Sequence, residues 1–340
     1  MAIMLAVVIT SCSKRPVSQE DTLQETPRVV VGYVTSWGDR MPDPALVTHY
    51  NYAFGHVTDT FDSVRIDNPD RLRSIVALKE SNPDLKVMVS VGGWGSGRFS
   101  EMAASEQTRK SFAANCMKAI GEYGLDGIDI DWEYPGTSVA KISSAPTDTE
   151  NYTLMMRDIR AAIGPDKILS QATVASAKYI NFADVEPYVD YTNVMTYDMG
   201  DEHTHNSPLH RSAYTLGIGA DEGLQMHLDA GIPASKIVMG MSFGARGARE
   251  FRRRWSPGMP VDSLPQGYSF YRDMEAGGNP CIIDSTGVLV MAFEDTTSIR
   301  LKSEYALQQG FKGAMFWCYE GDTPSGDLRR TIYHTFGLDK

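Results

Sequence analysis

Between Arg28 and the C-terminus, eight short runs rich in β-branched and aromatic residues recur, with helical patterns between most of them. The predicted strands are Val29–Thr35, His49–Phe54, Lys86–Val91, Gly127–Glu133, Ile168–Thr173, Tyr191–Tyr197, Ile237–Phe243 and Gly313–Trp317. Strands that alternate with helices pair in parallel, because each helix carries the chain back to the starting end of the sheet. Eight such units close into an α/β (β/α)8 barrel, the TIM-barrel architecture, of about 250 residues. A doubly wound sheet with extra strands is the alternative. The chain has 340 residues, so one barrel leaves room for a leader and an insertion.

Two helical patterns are clear. Residues 106–123 place Phe112, Ala113, Cys116, Met117 and Ile120 on one face, as a helix packed on a sheet requires. Residues 298–309 behave similarly and stop at Gly310, a natural terminator. One connection is too long for a simple turn. The stretch 247–296 holds a basic run, a Tyr-rich run and the hairpin-like CIIDSTGVLVMAFED, and it reads as a small insertion on the barrel's C-terminal rim.

The first residues stand apart from the barrel. Residues 1–11 form an apolar run as long as a signal-peptide core and too short to span a bilayer. The run ends in Ile9-Thr10-Ser11-Cys12, which resembles the lipobox of bacterial lipoproteins, in which the cysteine is acylated and becomes the mature N-terminus. Residues 1–12 are therefore expected to be a lipoprotein-type signal, and 13–27 a polar tether. The expectation is an exported protein, held at the cell envelope by lipid or secreted. With Cys12 set aside, Cys116, Cys281 and Cys318 remain, an odd number that argues against a disulfide framework. The net charge of −11 gives nucleic-acid binding little electrostatic support.

The chemistry is concentrated in LDGIDIDWEYP, residues 125–135. Alternate strand residues share a face, so Asp129, Asp131 and Glu133 point one way and Ile128, Ile130 and Trp132 the other. Inside a barrel the acids face the interior and the apolar set faces the helices. Carboxylates about 6–7 Å apart are costly to bury unless they share protons or gain partners. Crowding raises at least one pKa and keeps an acid protonated near neutrality, as glycosidic bond cleavage needs. The alternatives are a site for Mg²⁺ or Ca²⁺, which prefer oxygen ligands, and a solvated edge strand, which the apolar face opposes.

Asp126, Asp129, Asp131 and Glu133 fit the DxxDxDxE signature of glycoside hydrolase family 18, and Trp132-Glu133-Tyr134-Pro135 resembles its chitinases. Other blocks follow in order. Tyr50-Asn51-Tyr52-Ala53-Phe54 resembles the family's second strand and Ser90-Val91-Gly92-Gly93-Trp94 its SxGG element. Met195-Thr196-Tyr197-Asp198 resembles its MxYD motif, followed by His205-Asn206-Ser207-Pro208-Leu209, and Gly313-Ala314-Met315-Phe316-Trp317 resembles its eighth strand. The resemblance spans residues 28–340.

The resemblance implies a retaining, substrate-assisted chitinase that needs no cofactor or metal. Glu133 would protonate the glycosidic oxygen and later activate water, while the substrate's own 2-acetamido oxygen attacks the anomeric carbon. Asp131 would orient the acetamido N–H, and Asp129 would share a proton with Asp131. Tyr197 would donate to the acetamido oxygen, Asp198 would bind near the scissile bond and Trp317 would floor the distorted sugar. Tyr33, Phe54, Trp94, Tyr134, Met195 and Arg246 complete the expected substrate-binding set. Asp126 has the opposite strand parity and reads as structural. The partners implied are chitin or N-acetylglucosamine oligosaccharides, bound by a monomer that meets a membrane only through a lipid anchor. An endo-β-N-acetylglucosaminidase acting on N-glycan cores, or a non-catalytic chitin-binding lectin, are the competing readings.

Independently of the family, sugars stack their C–H faces on aromatic rings, and Trp37, Trp94 and Trp317 all lie near strand C-termini. Two departures from the pattern stand out. Gly244 occupies a position where many members carry Tyr, and the insertion is short. His203 and His205 lie two apart without a clear third ligand, so they do not read as a metal pair. The arginines from Arg246 to Arg254 read as a solvated loop with one residue turned to substrate.

Overall fold

The computed structural model describes residues 27–339. The lipobox with Cys12 and nearly all of the expected tether lie outside the described residues. Eight parallel strands close into a barrel: β1 (Val29–Thr35), β2 (His49–Val57), β3 (Lys86–Gly92), β4 (Gly127–Asp131), β5 (Ile168–Val174), β6 (Tyr191–Met195), β7 (Ile237–Ser242) and β8 (Gly313–Trp317). Closure is explicit, since β1 pairs with both β8 and β2. A short strand, Val64–Ile66, adds antiparallel to the end of β2.

All eight expected strands are present, but their ends differ, and the differences fall where the barrel opens. β4 stops at Asp131 and β6 at Met195, two residues earlier than alternation predicts, and β7 stops one residue earlier, at Ser242. The last ladder contact of β4 is the Asp131 carbonyl, which accepts from Gly93 N at 2.9 Å. Beyond it the backbone leaves the ladder to turn side chains into the mouth. β2, β3 and β5 run one to three residues longer than expected.

The helix Glu106–Tyr123 begins at Ser105, whose hydroxyl accepts from Thr108 N at 3.1 Å, and ends at Gly124, with φ 70°. Phe112, Ala113, Cys116 and Ile120 are buried as expected, but Met117 is exposed. One residue advances 100° around a helix, which carries Met117 off the stripe centred on Cys116. The helix Thr296–Gln308 starts two residues before the apolar periodicity does. Asp295 accounts for this, because its carboxylate accepts from the N–H groups of Thr297 and Ser298, both at 3.0 Å.

The long connection folds as a four-stranded antiparallel unit built from Tyr268–Asp273, Asn279–Asp284, Leu289–Ala292 and the pair Arg246–Gly247. The expected hairpin is there. Phe251, Trp255, Ile282, Val290 and Met291 give the unit a core of its own. The main core lies between barrel and helices, and includes Ile128, Ile130 and Trp132. A second cluster, with Val31, Met88, Tyr191, Val238 and Met315, fills the barrel interior and supports the site.

Candidate active site

Asp129 is the lowest of the three acids and is fully buried. Strand register places Ser90 of β3 and Ser170 of β5 beside it on either hand. Both hydroxyls donate to its carboxylate, at 2.7 and 2.6 Å. Tyr33 OH donates at 2.8 Å and Asn193 Nδ2 at 3.2 Å. Burial raises the Asp129 pKa, and these four donors pull it back toward the ionised form. No hydrogen bond joins Asp129 to Asp131 in this arrangement, and burial outweighs the four donors, so the Asp129 carboxyl stays above its usual range.

Asp131, one step up the same face, is different. It is buried, its Oδ1 has no hydrogen-bond partner, and burial together with the charges of Glu133 and Asp129 holds its carboxyl well above the usual range. Glu133 lies past the end of β4, yet it turns into the cleft as its parity predicts. Burial pushes its pKa to about 7, with the Tyr134 hydroxyl pulling down and the Asp198 charge pushing up. A glutamic acid titrating there can donate a proton near neutrality and take one back later.

The acids open into a cleft of about 790 Å³ at the C-terminal end of the barrel. Tyr33, Phe54, Trp94, Tyr134, Met195, Tyr197, Asp198, Arg246 and Trp317 all line it, so the structure assembles the whole expected substrate-binding set. Trp317 stacks on Phe54 with ring centroids 5.7 Å apart and an 18° tilt, which presents an apolar floor. Trp37 and Trp94 stand at the rim, 66% and 63% exposed. Tyr197 is buried and its hydroxyl meets only the Met315 sulfur, at 3.8 Å, a weak acceptor that leaves it free to donate to a ligand. Burial and the nearby acids raise its pKa, so it keeps its proton. Arg246 Nη2 and Asp198 Oδ1 are 2.5 Å apart across the mouth.

The glycines of the SxGG element have a steric reason. A Cβ on Gly92 would lie 1.9 Å from the Asp131 carbonyl, and one on Gly93 would lie 2.7 Å from the Phe54 ring. Both also have positive φ, at 131° and 93°.

Other sequence signals fall outside the cleft. Asp126 braces strands, accepting from Lys79 Nζ at 2.7 Å and Val87 N at 2.8 Å. His203 Nδ1 lies 2.9 Å from the Leu289 carbonyl, whereas His205 Nε2 lies 2.9 Å from Asp273 Oδ2 in the insertion. The two imidazoles thus have separate partners. Cys116 and Cys281 are buried free thiols, and Cys318 is a half-buried one. Gly244 does not line the cleft.

Sequence reasoning missed several residues. Ser170 and Asn193 hold Asp129, and their signal was available as small polar residues inside buried strands. Asp201, Glu202 and Asn206 line the wall from the loop after β6 and Arg252 from the short helix Arg249–Arg252, where no periodicity marks them.

The sequence pattern of the family described as Glycosyl hydrolases family 18 matches residues 29–322. Chitinase A1 of Niallia circulans is 28% identical, over 100% of this chain and 62% of that protein. Among known structures, a family 18 N-acetylglucosaminidase from Paenibacillus barengoltzii shares 31% identity at a TM-score of 0.80, covering 91% of this chain and 99% of that one. The chitinase ChiW of a Paenibacillus strain, described as cell-surface-expressed and multi-modular, shares 30% identity at a TM-score of 0.79, covering 92% of this chain and 43% of that one.

Proposed function

The chain belongs to glycosyl hydrolase family 18, and from that premise we propose that it hydrolyses the β-1,4 linkages of chitin and N-acetylglucosamine oligomers with retention of configuration. The observation that carries this reading is the pairing of Glu133, titrating at about 7, with an Asp131 whose Oδ1 has no partner. Glu133 gives its proton to the glycosidic oxygen as that bond breaks. The acetamido carbonyl oxygen of the same sugar attacks C1 and forms an oxazolinium ring. Asp131 holds the acetamido N–H and Tyr197 donates to its oxygen. Glu133, now a carboxylate, takes a proton from water as the water opens the ring.

The nucleophile is assigned to the substrate because the two other acids of the β4 face are poorly placed to attack. A retaining enzyme of the two-carboxylate kind needs a second carboxylate about 5 Å from the acid, on the far side of the sugar. Asp131 shares a strand face with Glu133, and Asp129 is locked by four donors beneath the cleft. Cleavage of chitin oligosaccharides, with cellulose oligomers and fully deacetylated chitosan left intact, is the expected result. Proton NMR should show the β-anomer before mutarotation. An α-anomer, or an ester trapped on Asp131, would falsify the mechanism.

A second reading, action on other glycans bearing N-acetylglucosamine, draws on the 31% identity to the Paenibacillus barengoltzii enzyme. Product analysis on chitin oligomers beside a high-mannose glycoprotein separates the two. We also propose that Cys12 is acylated and anchors an exported enzyme at the cell envelope, on the strength of Ile9-Thr10-Ser11-Cys12. Mass spectrometry of the native protein should find the mature chain starting at a lipid-bearing Cys12. An unmodified Cys12 rejects the anchor without touching the chemistry.

A further inference from the structure

The loop that follows β6 carries Tyr197, Asp198 and Asn206 on the cleft wall. Beneath it lies a charged cluster that no catalytic step uses. The side chains of Lys302 and Glu294 are 0% and 3% exposed and form an ion pair through Nζ and Oε1. The ammonium also donates to the Ser207 carbonyl at 2.5 Å and to Ser207 Oγ at 3.1 Å. Glu294 also accepts from Asn279 Nδ2 at 3.0 Å and from Ser298 Oγ at 2.6 Å. Ser207 Oγ in turn donates to the Thr196 carbonyl at 2.6 Å, and Thr196 Oγ1 donates to the Gly240 carbonyl of β7 at 2.6 Å. Thr196 immediately precedes Tyr197.

We propose that Lys302 is a positioning residue for the catalytic wall, fixing Tyr197 and Asp198 through Ser207 and Thr196. Stability alone gives a weak reason for such a pair, because a buried ion pair is often no better than apolar residues of similar volume. What it supplies is direction. An ammonium has three hydrogens, and here all three are spent on two partners, one of them the turn of the loop itself. That contact links the helix Thr296–Gln308 and the insertion strand Asn279–Asp284 to the residues that meet the acetamido group. The insertion therefore shapes the site from below as well as lining its rim.

The activity readouts rest on the glycosidase reading, and a third readout does not. The test uses the full chain carrying Lys302→Met with Glu294→Gln, which leaves no lone buried charge, and separately Ser207→Ala. The double variant should melt near the wild type but lose roughly ten- to a hundredfold in kcat on a chitin oligosaccharide, the scale set by small misplacements of reacting groups, with KM changed less. The alkaline limb of its kcat/KM profile should move to lower pH, because the nearby Asp198 charge helps to hold Glu133 up. Amide exchange across residues 196–207 should rise while β4 stays protected. Ser207→Ala should give the same pattern more weakly. A folded double variant with wild-type kcat, pH limb and loop exchange overturns the proposal. Should that variant not fold, the same three readouts on Ser207→Ala decide it. A wild type that cleaves no N-acetylglucosamine substrate overturns the glycosidase reading instead, and loop exchange then decides this one.

Discussion

Two buried clusters of charged groups, one beneath the loop after β6 and one at the top of β4, are finished to different standards. At Lys302 and Glu294 every ammonium hydrogen has an acceptor and the carboxylate takes three donors. At the top of β4 the acids are left unfinished: Asp131 has an oxygen without a partner, and Glu133 sits at about 7. A complete network fixes geometry, because any movement breaks several bonds at once. An incomplete one keeps its groups unsatisfied until a ligand supplies the missing partners. The same contrast recurs within β4, where Asp129 has four donors and Asp131 lacks a partner at Oδ1. Between these two clusters, scaffold and site differ in how well the buried charges are satisfied.

The harshest way to break that comparison is at Glu133. Replacing Glu133 with Gln keeps the shape and removes the titrating proton, so kcat on a chitin oligosaccharide should fall by about 10²–10⁴-fold or more. Thermal melting should stay at or above that of the wild type. Turnover near the wild-type level would mean that the unfinished cluster is not the source of the chemistry.

A smaller effect follows from pH. With the acid at about 7, kcat/KM should decline above that value as Glu133 loses its proton. Stability should follow the same group. Its folded pKa stands above the ordinary value of 4.5, so its stabilising contribution is complete below pH 4.5 and is lost as pH rises through about 7. The Gln variant should therefore gain melting temperature over the wild type at pH 8 and show no gain at pH 4. Equal curves at both values would place the Glu133 carboxyl in ordinary solvent.

These groups differed in how far the sequence exposed them. Strand alternation reached Asp129, Asp131 and Glu133 because the apolar partners Ile128, Ile130 and Trp132 force the opposite face inward. Parity survives even where the ladder ends at Asp131, since Glu133 still lines the cleft while Trp132 stays in the main core. Barrel closure was legible from eight alternating units, each buried on both faces. The loop after β6 was not. Asp201 is held by turn contacts with His203 and Thr204, whereas Ser207 is held by Lys302, 95 residues away. No local period encodes a contact of that kind. Met117 fails for a simpler reason, because helical spacing identifies a stripe but not its width.

The finest test of the comparison lies within β4, at two aspartates one step apart. In Asp131→Asn a carboxyl that burial and neighbouring charges drive toward its protonated form is exchanged for a neutral amide of the same shape. The exchange removes like-charge repulsion and takes an acceptor from no neighbouring donor, so melting at pH 7 should hold or rise even as kcat falls. Asp129→Asn is the opposite case. Its two oxygens receive Ser90, Ser170, Tyr33 and Asn193, and an amide presents hydrogens to half of those donors. Ser170 and Asn193 share one oxygen and Tyr33 and Ser90 the other, so whichever way the amide is set two donors face its hydrogens and at least one loses its acceptor, at a cost of about 1–3 kcal/mol. Melting curves of the two variants, recorded side by side at pH 7, should therefore separate on either side of the wild type or with Asp129→Asn alone below it. An Asp129→Asn protein that melts with the wild type, or an Asp131→Asn protein that melts below it, would erase the distinction between a satisfied and an unsatisfied acid on the same strand.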